Sequence, residues 1–264
     1  MNAHLAMTKS NEDMQDMSLK LIASKEDGRG DAKRVFYQKL IKAYETDWNT
    51  AKKSWYKHYY ERYCKHENFG ATTLLPIVVR SQTSLVIGHG GGSVLETGLA
   101  LHRIYGVPYL PGTALKGVAS HYAHRQLGDQ HPALKREGAD YDILFGTQSS
   151  AGCIQFHDAL PTPETVCTAL KQDVLTPHHQ DYNGIIVESY RKDIEYEAPR
   201  DDDSPVPIPF LSASAHFHIV LTCEGEQEQA MKWLSLAKAI LLGALRDEGI
   251  GGKTNAGYGR LLEV

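Results

Sequence analysis

From Asp31 to about Lys65 the aromatic and apolar residues Phe36, Leu40, Tyr44, Trp48, Ala51, Trp55 and Tyr59 recur at steps of three and four, with no proline or glycine among them. This spacing predicts a helix with one apolar face. After Gly70 the pattern turns β-branched. "LLPIVVRSQTSLVIG" predicts a strand, or a bent pair of strands, ending at Gly88, and "GHGGGSVLETGLALH" a glycine loop followed by a second strand. In "PYLPGTALKGVASHYAHRQLG" a Pro-Gly turn and a capping Thr113 precede a stripe at Leu115, Val118, Ala119 and Tyr122, so a helix is expected to begin near Thr113. Alternation in "AGCIQFHDALP" and "SASAHFHIVLTC" predicts further strands. "EQEQAMKWLSLAKAILLGALRDEG" reads as a long helix and "AGYGRLLEV" as a closing strand. Strand, helix, strand, strand, helix, strand is the order of a ferredoxin-like split βαβ arrangement, an α+β fold.

Three segments stand apart from that skeleton. Residues 1 to about 30 are polar and Met-rich and are expected to form a mobile tail. Residues 31–70 form an N-terminal helical extension, and 71–264 the main domain. Within it, "TPHHQDYNG" and "EYEAPRDDDSPVPIPF" mark an irregular excursion at about 176–210, loaded with proline, aspartate and histidine. Long insertions of this kind are functional or disordered.

Composition narrows the function classes. The chain has 264 residues, 42% of them apolar and 23% charged, which fits a globular protein with a sizeable core. It lacks an apolar run long enough to span a bilayer and a signal-peptide core, so the expected location is cytoplasmic, with no membrane partner. Cys64, Cys153, Cys167 and Cys223 are scattered without zinc-ligand spacing, and no metal or other cofactor is expected. A net charge of -4 restricts any nucleic-acid contact to local basic patches. One patch is the 33–65 segment, where nine Lys/Arg face three acids. That helix has the charge to touch RNA or a partner. The reading adopted is that its aromatic stripe packs on the domain while the lysines solvate the other face.

The glycines invite catalytic readings that fail on inspection. Gly252-Lys253-Thr254 looks like the end of a Walker A loop, but Asp247 occupies the position of the leading glycine, and the segment lies between a helix and a strand in the wrong order. "HGGG" at His89 to Gly92 has the form of an esterase oxyanion loop, yet no serine sits in a G-x-S-x-G elbow. A G-x-G-x-x-G reading breaks at Ser93. What survives is a turn between the last helix and last strand with five glycines in eleven residues, Gly249 to Gly259. Bare backbone of that kind approaches a phosphodiester closely, with Lys253 and Arg260 to supply charge and Tyr258 a stacking face.

These stretches carry a resemblance. "GIGGKTNAGYGRL" resembles the C-terminal glycine-rich loop of the RAMP superfamily, the RNA-binding subunits of CRISPR effector complexes, and "YGVPYLPGTALKG" is similar to the segment before that superfamily's first long helix. "GSVLETGLALH", "LFGTQSSAGCIQFHDALP", "DVLTPHH" and "SPVPIPFL" are similar in content and order to the branch that forms the sixth subunit of type III-B Cmr complexes, over about residues 75 to 264. The resemblance implies a ferredoxin-like (RRM-like) fold with long insertions. It also implies a non-catalytic subunit that holds the 3′ part of the crRNA and caps the backbone stack during recognition of target RNA. Its partners would be crRNA, target RNA and other Cmr subunits, including the backbone RAMP subunit.

Carried onto this chain, the RNA groove is expected to be lined by Gly249, Gly251, Gly252, Lys253, Thr254, Gly257, Tyr258, Gly259 and Arg260. Gly112, Thr113 and Lys116 would present a helix N-terminus and an ammonium to phosphate, with His89 in the facing loop. The family's inserted thumb would correspond to the His178 to Phe210 excursion, with Tyr182, Tyr190 and Arg191 to stack or clamp; Asp201 to Asp203 would face a basic partner or water. The alternative is a metal-independent endoribonuclease using a histidine such as His89 as acid or base. It finds little support, because Glu96 is the nearest acid to that loop and His121, His124, His178 and His179 read as surface or thumb residues.

Overall fold

A computed structural model describes residues 2–8, 29–48, 52–65, 73–90, 95, 97–176 and 207–264. Among the described residues, seven strands and three α-helices build the central domain. Strand β1 (Thr73–Ser81) leads through a long loop to helix α4 (Gly112–Tyr122), which continues as a π-helical stretch to Leu127. The short helix α5 (Ala139–Phe145) precedes strands β2 (Ile154–Phe156) and β3 (Leu160–Pro161). After strands β4 (Leu170–Leu175) and β5 (Ile208–Ala213) come β6 (His216–Cys223), helix α6 (Gln227–Asp247) and β7 (Leu261–Glu263).

The main sheet runs β2-β6-β1-β7, with β3 also on β6, and every pairing is antiparallel. Counting β1, β2, β6 and β7 as the four skeletal strands, this is the strand order of the split βαβ fold expected from the sequence. The register fixes the two faces. On β6, Phe217, Ile219, Leu221 and Cys223 are buried on one side beneath α4 and α6, while His216 and His218 project from the other. Helices α4 and α6 meet closely at Gly243, where a Cβ would strike the ring of Tyr122.

The N-terminal segments depart from expectation in two ways. First, residues 1–30 are not simply a tail: α1 (Ala3–Thr8) buries Ala3, Ala6 and Met7 in the common core, and the Asn2 amide donates to the carbonyls of Arg103 and Ile104 at 2.8 and 2.7 Å. Three apolar residues at positions i, i+3 and i+4 are enough for one docked turn. Second, the 31–65 helix is two helices, α2 (Arg29–Trp48) and α3 (Lys52–Cys64). Phe36, Leu40, Tyr44 and Trp48 point inward as expected, but in α3 the inward residue is Tyr56, fully buried, while Trp55 is 72% exposed. The tyrosines of these helices bind the body directly. Tyr44 donates to Val166 O at 2.9 Å, Tyr56 to Pro161 O at 2.5 Å and Tyr63 to Asp158 O at 2.8 Å, and Tyr60 pairs with His218 Nδ1 at 2.9 Å. The helical extension is thereby part of the domain core, lying against the sheet face that α4 and α6 leave uncovered.

Two smaller corrections concern the middle of the chain. "SVLETGLALH" forms no strand among its described residues, only a bridge from Leu101 to Pro108. Strands β4 and β5 pair antiparallel from Leu170↔Ala213 to Leu175↔Ile208, so ladder structure resumes at Ile208, two residues before the expected end of the excursion. Asp201 to Asp203, His178, His179, Tyr182, Tyr190, Arg191, Gly91, Gly92 and Glu96 lie outside the described residues.

Candidate nucleic-acid interface

The terminal loop is assembled on the segment that follows β1. Gly252 N–H donates to Val86 O at 2.7 Å, Gly259 N–H to Ser84 O at 2.9 Å and Arg260 N–H to Thr83 Oγ1 at 3.0 Å, while Gln82 N–H donates back to Arg260 O at 2.9 Å. The same segment is tied on its other side to β5 by the reciprocal Leu85 and Ala213 bonds of 2.7 and 2.9 Å. Residues 82–88 are therefore the strut between the glycine loop and the root of the excursion.

Glycine is required in this loop for a reason more specific than openness. Gly249, Gly251, Gly257 and Gly259 all have positive φ. At Gly251 a Cβ would strike Val86 O, and at Gly259 it would strike Ile250 O. Much of the glycine content therefore serves the fold itself, packing the turn against its own backbone and the 82–88 strut. Lys253 is different. It holds φ 60° and ψ 28°, the left-handed region, and the next residues form a single 3-10 turn, Thr254–Ala256. A left-handed residue followed by right-handed ones turns successive N–H groups into one concavity, a nest suited to an anion. The N–H groups of Lys253, Thr254 and Asn255 have no hydrogen-bond acceptor among the described residues, and Asn255 is exposed.

Around this nest stand Tyr258, His89 and the ladder. Tyr258 donates to Asp173 Oδ2 at 2.6 Å and its ring lies 6.0 Å from that of Phe210. Burial first, then the Asp173 carboxylate, pushes its phenol up to about 12. His89 meets Phe210 edge-on at 5.5 Å, and its Nδ1 is buried with no hydrogen-bond partner among the described residues. Its pKa is lowered by burial foremost and then by the cations of Lys253 and Lys33, so the ring is held neutral.

Three sequence-expected contributors have other employment. The Arg260 guanidinium donates from Nη1 to Arg246 O and Asp247 O at 2.6 and 2.7 Å, capping the last carbonyls of α6. It is a structural residue where a phosphate contact was expected. Gly112 is buried, its N–H is taken by Asp158 Oδ1 at 2.8 Å, and a Cβ there would run into Phe156 O. Thr113 is the second residue of α4, exposed, and caps nothing; Pro111 occupies the cap position.

Position separates that helix start from the loop as well. Gly112 sits on Phe156, which is in register with Leu221 and so with Leu75, whereas the loop enters β7 beside Ser81. Six residues along β1 is about 20 Å. Gly112 and Thr113 thus do not join the nest, and Lys116, half-buried one turn further on, belongs to their helix. The residues brought together are Gly249, Gly251, Gly252, Lys253, Thr254, Gly257, Tyr258, Gly259 and His89. Sequence reading missed the additions of Asp173 and Phe210, which only tertiary pairing places here.

Comparison with known proteins gives the setting. The model of the RAMP superfamily matches residues 78–262, leaving α1 to α3 outside the match. The chain is 30% identical to "CRISPR system Cmr subunit Cmr6" of Pyrococcus furiosus, over 79% of this chain and 73% of that protein. It is 28% identical to "CRISPR system CMR subunit Cmr6" of Saccharolobus solfataricus, over 40% of this chain and 35% of the relative. A chain in the cryo-EM structure of the type III-B Cmr-beta bound to cognate target RNA shares the fold, with a TM-score of 0.58 at 20% identity. That likeness covers 78% of this chain and 64% of the other, slightly less than two thirds of its length. The crystal structure of Cmr6 from Pyrococcus furiosus aligns at 27% identity over 74% of this chain and 99% of that one, with a TM-score of 0.44.

Proposed function

The chain belongs to the RAMP superfamily and is a homologue of Cmr6, and on that premise we propose that it is a non-catalytic RNA-holding subunit of a type III-B CRISPR interference complex. In this reading it grips the 3′ part of the guide RNA, caps the stack of backbone subunits and meets target RNA as part of that assembly. Such a subunit works in the cytoplasm. The observation that carries the reading is the nest at Lys253 to Asn255, where three consecutive N–H groups, the first of them that of a lysine, have no acceptor among the described residues. A phosphodiester fits these donors by charge and shape without any base being read.

His89 is assigned no general-acid role. Its neutral ring faces two cations and packs on Phe210, an environment that disfavours the imidazolium an acid would need. It completes the wall of the groove.

The test uses the purified full chain with a fluorescently labelled guide RNA and a labelled target RNA. Lys253→Ala is expected to weaken binding to the guide and to flatten the dependence of log K on log salt by about 0.7, one phosphate on a single strand. Both RNAs should remain intact with and without magnesium. Discrete cleavage products that disappear in His89→Ala would instead establish an endoribonuclease, and unchanged affinity and slope in Lys253→Ala would remove the nest from the groove.

A further inference from the structure

Helix α3 is fixed in rotation by its inner face. Tyr56 and Tyr63 donate to backbone carbonyls of the body, Tyr60 pairs with His218, and Tyr59 stacks on Tyr105 at 4.5 Å between ring centres. With four tyrosines engaged, the helix cannot turn to hide its remaining large ring, so Trp55 stands in solvent at 72% exposure while Trp48, one helix earlier, is 3% exposed. Leaving an indole in water forfeits one of the largest burial gains a side chain offers.

The helix that carries Trp55 is rich in cations. His58 and Arg62 follow Trp55 at three and seven residues on the same face, while Lys53 and Lys57, two residues to either side, project from other faces of the helix; all four are exposed. From Lys52 to Lys65 the sequence carries five Lys/Arg, at 52, 53, 57, 62 and 65, against the single acid Glu61, in a chain whose net charge is -4. Lys57 pairs with that acid at 3.8 Å, with both side chains largely in water.

We propose that this face of α3 is a second RNA contact, in which Trp55 stacks on an unpaired base of the guide strand while Arg62, two turns further on, holds an adjacent phosphate. The inference rests on the reading that guide RNA is what this subunit holds, and adds a surface outside the segment that matches the RAMP model. A protein partner fits less well. The centre of a protein interface is apolar and poor in lysine, whereas Trp55 is the only large apolar side chain exposed on α3 among its described residues. One ring in a cationic field is what single-stranded nucleic acid uses: a π-face for a base, with charges spaced for the backbone. Of the two RNA strands, the guide is the one present before and after target recognition, and a stacking platform needs a base that stays unpaired.

Photocrosslinking in the assembled complex tests this. Trp55→p-benzoylphenylalanine places a reactive aromatic ring at the site, and Lys253→p-benzoylphenylalanine does so in the nest; each tagged chain is purified with the subunits and RNA it carries, irradiated, and the crosslinked species sequenced. The expected result is guide RNA on both. If position 253 captures guide and position 55 captures only protein, only target RNA or nothing, the α3 contact is refuted and the nest stands. RNA on neither position removes both readings. In parallel, Trp55→Ala should weaken binding of a uridine 15-mer by about fivefold or more, as loss of one stacked base requires, and Trp55→Phe should recover part of it. Unchanged Tm in both variants, expected for an exposed side chain, ties the change to the surface; unchanged affinity in Trp55→Ala refutes stacking.

Discussion

The hydroxyl of Tyr258 donates to Asp173 at 2.6 Å, joining the terminal loop to the foot of the β4–β5 ladder from which the excursion departs. One hydrogen bond thus ties the terminal loop to β4. Tyr258→Phe removes the donor and leaves Asp173 without its partner there, so it should loosen the loop without unfolding the chain. Faster amide hydrogen exchange at residues 253–258, with helix α6 unchanged, is the expected signature, whereas Asp173→Asn with Tyr258 intact should keep part of the protection, because the amide oxygen accepts the same bond.

Lys253 and Arg260 are expected to separate cleanly by mutation. Arg260→Ala deprives α6 of two charge-assisted bonds to its last carbonyls and should lower stability by about 1 to 2 kcal/mol in urea denaturation. Lys253→Gly should do the reverse, stabilising by about 1 kcal/mol because glycine adopts φ 60° freely, while RNA affinity falls. A variant that is more stable and binds less well identifies a strained residue kept for its ligand.

The glycines divide by what lies in front of them. Nothing stands within 4 Å of a Cβ on Gly257, so Gly257→Ala meets only its φ of 91° and should lower stability by about 1 kcal/mol. Gly112→Ala drives a methyl into the backbone carbonyl of Phe156, which cannot swing aside. A loss of about 2 to 3 kcal/mol is expected there. Comparison of the two midpoints in denaturant decides the matter.

High pH should unfold the protein through its tyrosines. Burial pushes Tyr37 up to about 12 and Tyr258 likewise, and raises Tyr44, Tyr56, Tyr60 and Tyr63 further still. Each raised pKa favours the neutral phenol in the folded state, so the associated stability is complete below about pH 10, the unfolded value, and is lost as pH climbs towards 12 and beyond. Tyrosinate absorbance followed against pH should rise in one cooperative step coincident with loss of circular dichroism. Gradual titration of these groups in a chain that stays folded would contradict their burial.

The skeleton was legible because its signals are local. The stripe Leu115, Ala119, Tyr122 and the alternation of Phe217, Ile219 and Leu221 each announce their element and its inner face. Failures came where the deciding partner is distant. Arg260 looks like a phosphate ligand until the end of α6, thirteen residues back, takes its guanidinium. The amide of Gly112 is claimed by a carboxylate 46 residues further on. The inward register of α3 differs by one residue from the stripe read across 31–65, because Tyr56 finds its acceptor at Pro161, 105 residues further on. In the terminal loop the glycines read as bare backbone open to a phosphodiester, whereas Gly251 and Gly259 lie against the carbonyls of Val86 and Ile250.

The sheet order also governs how the chain can fold as it is made. The central strand β1 is synthesised before any of its sheet neighbours, and its two partners are β6 and β7, the last strands to emerge. Until they do, its apolar residues Ile77 and Val79 have no strands beside them, and the docking of α3 onto His218 must wait as well. Such high contact order slows folding and prolongs the exposure of an unpaired, β-branched segment. A nascent chain of this protein is therefore a natural client for chaperones, and production at reduced temperature or beside its assembly partners should raise the soluble yield.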